Sequence, residues 1–298
     1  VMYLAAENKY AKNDVSGAIR EFSNYITAFP SGNFSLNAHF YRGECLFSQG
    51  DFMLALNDYD FVIKQPQSRF AEKSLLNAAR ISFSHKKDYE GAYKYYKRLQ
   101  ELAELKANKL EAAKGMMYSA FYLKRYNEVL SAAQLVLATD VAKANDLLEA
   151  HYYQARVFES QNELSRAFTE YAIVAKEKSA IGAEASYRMA EIYFKQQNLT
   201  AAEEQCYALV KDKPGYDYWI AKSYLLIADI FESDKDYFQA KSTLQSVIDN
   251  YKGADEIVAT AKAKLISIEE QEALQSKLKQ DSPAEEMELD SIPEIKVN

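Results

Sequence analysis

The stretch "SQGDFMLALNDYDFVIKQP", residues 48–66, decides how this sequence is interpreted. Its turn residue Gly50 is followed by an aromatic residue (Phe52), a small residue (Ala55), a second aromatic residue (Tyr59) and a proline that ends the phrase (Pro66). Residues that are three and four positions apart lie on one face of a helix. The phrase therefore predicts a turn followed by a helix with one apolar face.

The same phrase recurs along the chain. Seven copies align on one residue, which is small in most of them, and the intervals between copies are 37, 37, 37, 38, 35 and 38 residues. The aligned residues are Ala18, Ala55, Ala92, Val129, Ala167, Ala202 and Ala240. Self-similarity at a nearly fixed period of this length is the sequence signature of a repeat architecture, so we expect an array of structural repeats.

A second amphipathic stretch precedes most copies of the phrase. It carries its own small residue about twelve positions earlier, at Gly43, Ala79, Ala155, Ala190 and Ala228. We interpret each unit as two helices joined by a short turn, with the small residues allowing the helices to approach closely. Glycine (9) and proline (5) are scarce among the 298 residues, which also favours long helices over sheets with tight turns.

This pattern resembles the tetratricopeptide repeat, a helix–turn–helix unit of about 34 residues. The best match, residues 36–67, has Gly43, Phe52, Ala55 and Tyr59 at the small and aromatic positions of that family, with Pro66 one position early. The resemblance implies an all-α, right-handed α-α superhelix of seven helix hairpins plus a C-terminal capping helix. We assign the repeats to residues 1–252. Residues 253–280 read as one long helix with Ile257, Ala261, Leu265 and Ile268 on one apolar face, which we interpret as the capping helix. Residues 281–298 have two prolines and little apolar content, so we expect an acidic disordered tail.

The fourth unit departs from the pattern, because Met117 and Val129 stand where the other units have small residues. Leu also replaces the aromatic residue after the turn in "QNELSRA" and "QQNLTAA". We expect the helix contacts of these units to be looser or shifted.

The long turns between units, such as "PSGNFSLNA" and "PQSRFAEKS", are similar to those of bacterial envelope proteins. Examples are the Tol-Pal-associated periplasmic protein and the lipoprotein of the outer-membrane barrel-assembly machine. This similarity favours the cell envelope, whereas two unpaired cysteines, Cys45 and Cys206, are typical of a reducing compartment. The compartment is therefore left open. Both cysteines fall among apolar positions, so we expect buried, inert thiols.

The charge distribution argues against nucleic acid as a partner. The chain has a net charge of −7, and residues 281–298 carry six acids and one base, a net of −5. The repeats are thus close to neutral and contain no block of Lys and Arg, so we expect no nucleic-acid binding. No run approaches 18 consecutive apolar residues, so we do not expect the chain to span a membrane.

The sequence contains no motif for catalysis or for a cofactor. There is no GxG pair, no Gly-Lys-Ser/Thr, no GxSxG and no HExxH. The three histidines (His39, His85 and His151) have no second His or Cys at helical ligand spacing, so we expect packed helix residues rather than a metal site. We predict that the protein is not an enzyme and has no cofactor and no metal.

In the family that this sequence resembles, the first helix of each unit lines a concave face. Tyrosine combines a large contact area with few rotatable bonds and a hydroxyl group, which suits a peptide or helix as ligand. We predict a non-catalytic scaffold that binds a peptide or helix of a partner protein in this groove, where Lys114, Arg156 and Lys195 would pair with acids of the ligand. The alternative is a small-molecule or glycan-binding module that uses the same aromatic groove. The predicted partner-binding residues are Tyr118, Phe121, Tyr122, Tyr152, Arg156, Tyr187, Phe194 and Lys195.

Overall fold

The computed structural model describes residues 1–281, the side chains of residues 275 and 277–281 excepted. The chain divides into two compact units, Val1–Lys176 (unit 1) and a second that begins at Glu177 (unit 2). Apart from the backbone of Asp281, the tail predicted for residues 281–298 lies outside the described residues.

Unit 1 is built from ten α-helices, each of which contacts the next one in sequence. They pair as five hairpins, α1/α2 to α9/α10. A π-helical turn, Ile81–His85, follows α5 directly. The helices are α1 (Met2–Ala11), α2 (Val15–Ala28), α3 (Ser35–Gln49), α4 (Phe52–Ile63), α5 (Ala71–Arg80), α6 (Tyr89–Leu102), α7 (Lys106–Tyr122), α8 (Tyr126–Leu137), α9 (Ala144–Ser160) and α10 (Leu164–Val174).

Unit 2 continues the pattern with two hairpins, α11/α12 and α13/α14, and a long final helix, α15. Its helices are α11 (Ala180–Lys195), α12 (Leu199–Asp212), α13 (Asp217–Ser233), α14 (Tyr237–Asn250) and α15 (Asp255–Asp281). Residues 1–281 contain no β-strand. Both units therefore have the predicted all-α architecture of helix hairpins.

The aligned residues of the repeated phrase are buried in the hairpins, where the two helices approach closely. All seven, from Ala18 to Ala240, are 0% exposed. Gly43 on the facing helix α3 shows how near the helices come, because a Cβ at this position would lie 3.2 Å from both Asp58 and the ring of Tyr59 on α4. An ordinary carbon–carbon contact is about 3.5–4.0 Å, so only a residue without a side chain fits here without a shift. The seam of small residues predicted from the sequence, at which the two helices of a hairpin approach closely, is confirmed.

Each hairpin turn contains one residue with positive φ, two positions before the first residue of the second helix. The next residue often caps that helix: the side chains of Asp14, Asp88, Asn198 and Asp236 each accept a hydrogen bond from a backbone N–H three residues on. Only one of these turns has the glycine that suits a positive φ. The positive-φ residues are Asn13, Gly50, Lys87, Lys124, Asn162, Gln197 and Lys235.

The third hairpin contains one extra residue in its first helix. Eight positions separate the seam residue Ala79 from the positive-φ residue Lys87, whereas the other hairpins have seven. The π-helical turn Ile81–His85 absorbs this residue. As a result Phe83, four residues after Ala79, keeps its place on the helix while the turn stays aligned with its neighbours.

The fourth hairpin is packed as tightly as the others, and its close contact is shifted. Met117 and Val129 are both 0% exposed, so the looser packing expected there is not found. The close approach lies instead at Gly115 of α7, where a Cβ would fall within 3.0 Å of the ring of Tyr96 on α6. Alignment on Met117 does not reveal this glycine, because it lies two positions earlier and faces the preceding hairpin.

Two histidines join the helices of their own hairpins. His39 Nδ1 lies 2.6 Å from Oδ1 of Asp58, and His151 Nδ1 lies 2.6 Å from Oε2 of Glu170. Asp58 is 1% exposed and also accepts two hydrogen bonds from Arg42, of 2.8 and 2.7 Å. The packed role expected for these histidines is confirmed, and these side-chain contacts hold one helix in position against the other.

Helix α15 packs its apolar face against α13 and α14. Ile257, Ala261 and Ile268 are at most 3% exposed, and Leu265 packs beside them. An ion pair between Lys264 and Asp229 joins α15 to α13. The apolar face predicted for this segment is thus the packed face, while its role as the cap of the array stays a prediction.

Candidate functional site

Helices α7 and α9 carry the predicted site residues of unit 1. Tyr118, Phe121 and Tyr122 occupy the last turns of α7, and Tyr152 and Arg156 lie on α9. Their spacing of three and four residues places each set on one helix face. Because α7 contacts α5 on one side and α9 on the other, the faces of three successive first helices adjoin here.

Polar side chains tie α7 to α9. Lys114 is ion-paired with Asp146 and lies 3.4 Å from Oε2 of Glu149, and the Tyr118 hydroxyl donates to Glu149. Burial raises the pKa of Tyr118, and its bond to the carboxylate raises it further. Burial lowers the pKa of Lys114, but its bonds to the two acids outweigh this, so the net pKa is raised. Lys114 thus stays charged with partners from its own chain, which contradicts its predicted role as a charge available to a ligand.

Arg156 lies among the rings of α7 and α9. Its Nη1 donates to the Tyr152 hydroxyl at 2.7 Å, and its Cζ lies 5.5 Å from the ring centre of Phe121. This geometry allows a cation–π interaction that holds the guanidinium in place. Tyr153 fills the space behind it, with ring centres 4.9 Å from Phe121 and 5.3 Å from Tyr118, and burial raises its pKa to about 12.

Tyr122 is the most exposed ring of the predicted site, at 55%. It stacks on Tyr89 of α6 with ring centres 4.3 Å apart and an interplanar angle of 6°. Phe83, from the π-helical turn, presents its edge to both, at 5.8 Å from Tyr122 and 5.4 Å from Tyr89. Phe83 also lies 6.3 Å from Tyr118, so these rings connect with those around Arg156.

These side chains form one continuous surface, here called the aromatic cluster: Phe83, Tyr89, Tyr118, Phe121, Tyr122, Tyr152 and Tyr153. Sequence reasoning missed three of them. Tyr89 follows the turn, where the repeated phrase has an aromatic residue such as Phe52, and Tyr153 comes one position after the predicted Tyr152. Phe83 could have been found, since it stands four residues after Ala79 as Phe121 stands four after Met117.

The predicted residues of unit 2 differ in their surroundings. Tyr187 is 5% exposed, and its ring centre lies 5.5 Å from that of Trp219. Its hydroxyl donates a hydrogen bond of 2.9 Å to Glu191. The exposure on which its predicted role depended is therefore not found. Phe194 packs against the core formed by α11, α12 and α13, and Lys195, at the end of α11, is exposed.

The comparisons with known proteins agree with the helix hairpins. Two family models described as tetratricopeptide repeats match residues 3–60 and 218–254. A solved structure, the C-terminal part of a TPR repeat-containing protein from Cytophaga hutchinsonii, is similar over 87% of this chain and 98% of its own, with a TM-score of 0.60 and 13% identity. Residues 3–60 and 218–254 thus match the tetratricopeptide repeat, and the fold of the chain is that of a solved tetratricopeptide-repeat protein.

Two further solved structures share the fold of this chain. The structure of Naa15/Naa10 bound to HypK-THB has a TM-score of 0.51 and 12% identity over 95% of this chain and 42% of that one. Yeast Tom70 has a TM-score of 0.50 and 15% identity over 94% of this chain and 56% of its own. At this level of identity the likeness shows the fold alone. No curated protein sequence gives a significant match.

The tetratricopeptide fold supports a role as a scaffold for protein–protein interaction, and such repeat proteins are generally non-catalytic. Both cysteines are buried, and burial raises the pKa of Cys45 to about 11 and of Cys206 to about 12, so the predicted inert thiols are confirmed. The described residues contain no group of three or more His, Cys, Asp or Glu side chains that could hold a metal ion. None of the helices in the described part of the chain is long and apolar enough to cross a membrane.

Proposed function

We propose that the aromatic cluster of unit 1 binds an extended or helical segment of a partner protein, and that the protein acts as a non-catalytic scaffold. The observation that carries this proposal is the continuity of the cluster, which runs from the π-helical turn and α6 through α7 to α9 and exposes more than half of Tyr122. Proteins of this repeat family bind protein partners, which supports the general role but does not place the contact.

The physical chemistry of the cluster suits a protein segment. Aromatic side chains offer large apolar area, and tyrosine adds a hydroxyl that can hydrogen-bond a peptide backbone. The ring of Tyr122 is already stacked on Tyr89, so little side-chain freedom remains to be lost when a partner binds.

The charged groups beside the cluster serve to hold it in place. Lys114 pairs with Asp146 and Glu149, and Arg156 bonds to Tyr152. Since these contacts set the positions of the rings, we assign Lys114 and Arg156 to positioning of the surface. The partner's apolar and aromatic side chains then supply most of the binding free energy.

In unit 2, Phe194 and Lys195 are proposed as a separate contact site. Tyr187 is left out of this proposal because its ring is buried against Trp219.

Substitution of one exposed ring tests the proposal. A partner is first captured with the full chain, its interacting fragment is identified, and its affinity for the Tyr122→Ala variant is measured by calorimetry. We expect the affinity to fall about thirtyfold or more, because truncation of a central aromatic anchor costs about 2 kcal/mol or more. Tyr207→Ala is the matched control, since Tyr207 is a 45% exposed tyrosine on α12, outside the cluster.

Circular dichroism of both variants checks that the helices are retained. If Tyr122→Ala binds the fragment with the affinity of the unmodified chain, the aromatic cluster is not the contact surface. If the captured ligand is a glycan or another small molecule, the proposal of a protein partner is wrong even when the cluster is the site.

A further inference from the structure

We propose that the segment bound at Tyr89 and Tyr122 is acidic, with carboxylates on both sides of an apolar residue that lies on the exposed ring. This inference rests on the proposed function and adds the chemistry of the partner. It comes from the two hairpin turns that border the stacked tyrosines.

The two turns place a lysine beside each tyrosine. Lys87 precedes Tyr89 by two residues in the third hairpin, and Lys124 follows Tyr122 by two residues in the fourth. Because the two rings stack with their centres 4.3 Å apart, the turns that carry the lysines are neighbours. Each of the two stacked tyrosines therefore has a lysine two residues away in sequence, and the two lysines come from different turns.

The acids of these turns are already paired with other cations. Asp88 caps α6 through the Gly91 N–H at 2.9 Å and lies 3.1 Å from Lys86. Glu90 pairs with Arg125 and lies 3.4 Å from Lys94, and Glu128 lies 3.7 Å from Arg125. These acids thus pair with Lys86, Lys94 and Arg125.

Lys87 and Lys124 remain without a carboxylate within 4.0 Å in the described part of the chain, and both are exposed. The border of the stacked tyrosines thus carries two uncompensated positive charges, although the whole chain has a net charge of −7. Complementary potentials direct the encounter of binding partners and disfavour partners of like charge. A segment with acids on both sides of its anchor residue is the complement of this arrangement.

The backbone at both lysines adds support. Their φ angles are 55° and 56°, a region in which a side chain with a Cβ is strained. The other three hairpins of unit 1 use Asn, Gly and Asn at this position, residue types that reach positive φ more easily. The equivalent residues of unit 2, Gln197 and Lys235, also have positive φ, so it is within unit 1 that these two turns carry charge at a conformational cost that the other three avoid.

Selection from a library of random short peptides tests the inference with the full chain. We expect the unmodified protein to select peptides with Asp or Glu on both sides of an apolar or aromatic residue. In the Lys87→Glu/Lys124→Glu variant, the affinity of a selected peptide, measured by fluorescence anisotropy, should fall about tenfold or more, with a larger loss at low ionic strength.

Two further variants control for changes in net charge and in folding. Lys97→Glu/Lys109→Glu makes the same change in net charge at exposed lysines of α6 and α7 outside the cluster, and it should keep the affinity. Lys87→Gly/Lys124→Gly removes both charges while suiting the positive φ, and it should weaken binding without loss of helix content.

The outcomes separate this inference from the proposed function. Selected peptides that are lost on Tyr122→Ala but are neutral or basic, or that keep their affinity in the charge-reversed variant, would overturn the acidic partner and leave the aromatic site standing. A failure to select any peptide that depends on Tyr122 would overturn both proposals. Tight binding of single-stranded oligothymidylate that is lost on charge reversal would replace the acidic peptide with a nucleic acid.

Discussion

Gly115→Ala provides a strict test of the packing between the third and fourth hairpins. The added Cβ would fall within 3.0 Å of three carbons of the Tyr96 ring, where an ordinary contact needs about 3.5–4.0 Å. Tyr96 is 6% exposed, and its neighbours Leu99 and Met117 are 0% exposed, so the ring has little room to move away. Either the ring or the two helices must shift by at least about half an ångström.

The expected effect is the difference between two terms. Overpacking of a close-packed site costs about 1–3 kcal/mol, and the upper part of this range applies because the clash is with a rigid ring. Replacement of Gly by Ala inside a helix returns about 1 kcal/mol through helix propensity. We therefore expect Gly115→Ala to lower the free energy of unfolding by about 1–2 kcal/mol.

The assay is urea denaturation of the full chain followed by circular dichroism, with hydrogen exchange to locate the effect in α6 and α7. The same substitution is made in a Tyr96→Leu background, in which the ring is absent. There only the propensity term remains, so Gly115→Ala should be neutral or stabilising by up to about 1 kcal/mol. Equal stabilisation in both backgrounds would refute the close contact between Gly115 and Tyr96.

Three other substitutions test the turns and the hairpin pairs. Lys124→Gly should stabilise the protein by about 0.5–1 kcal/mol, because the relief of strain at positive φ exceeds the entropy that glycine loses on folding. Gly50→Ala should destabilise it by about 1–2 kcal/mol. A Cβ at Gly50 would meet no atom within 4 Å, so the cost comes only from the positive φ of the backbone. Urea midpoints that move in the same direction for both variants would contradict the backbone argument. Asp58→Asn should cost about 3–5 kcal/mol, because it leaves Arg42 and His39 without their buried carboxylate. A change in thermal stability no larger than that of a surface substitution would show that the solvent replaces this carboxylate.

The repeats could be predicted from the sequence because one geometric requirement, the close approach of two helices, recurs at a nearly constant interval. Ala55 and Ala167 are 0% exposed, so a larger side chain introduced there would overpack its hairpin, and the pattern of small residues therefore reports the fold. The contact at Gly115 was not predicted because it joins two hairpins, and its partner Tyr96 lies outside the repeated phrase.

The site was harder to predict, since the surroundings of a side chain on a first helix come from the next repeat. Lys114 meets Asp146, which is 32 residues away, and Tyr187 is covered by Trp219, also 32 residues away. Position within the repeat places these residues on a face. It does not show whether a side chain of the next repeat covers such a residue or forms an ion pair with it.

In unit 1, the charges that hold the hairpins together and the charges that a ligand can meet therefore lie at different positions, although the family pattern places both on the first helices. Charges within the faces of the first helices are used between hairpins, as in the pairs of Arg80 with Glu111 and of Lys114 with Asp146. Such pairs fix the spacing of the helices but leave little net charge for a ligand. Uncompensated charge appears instead in the turns, at Lys87 and Lys124, which the family positions do not include. If the acidic partner is correct, the helices supply the aromatic area that gives affinity, and the turn residues choose which segment can use it.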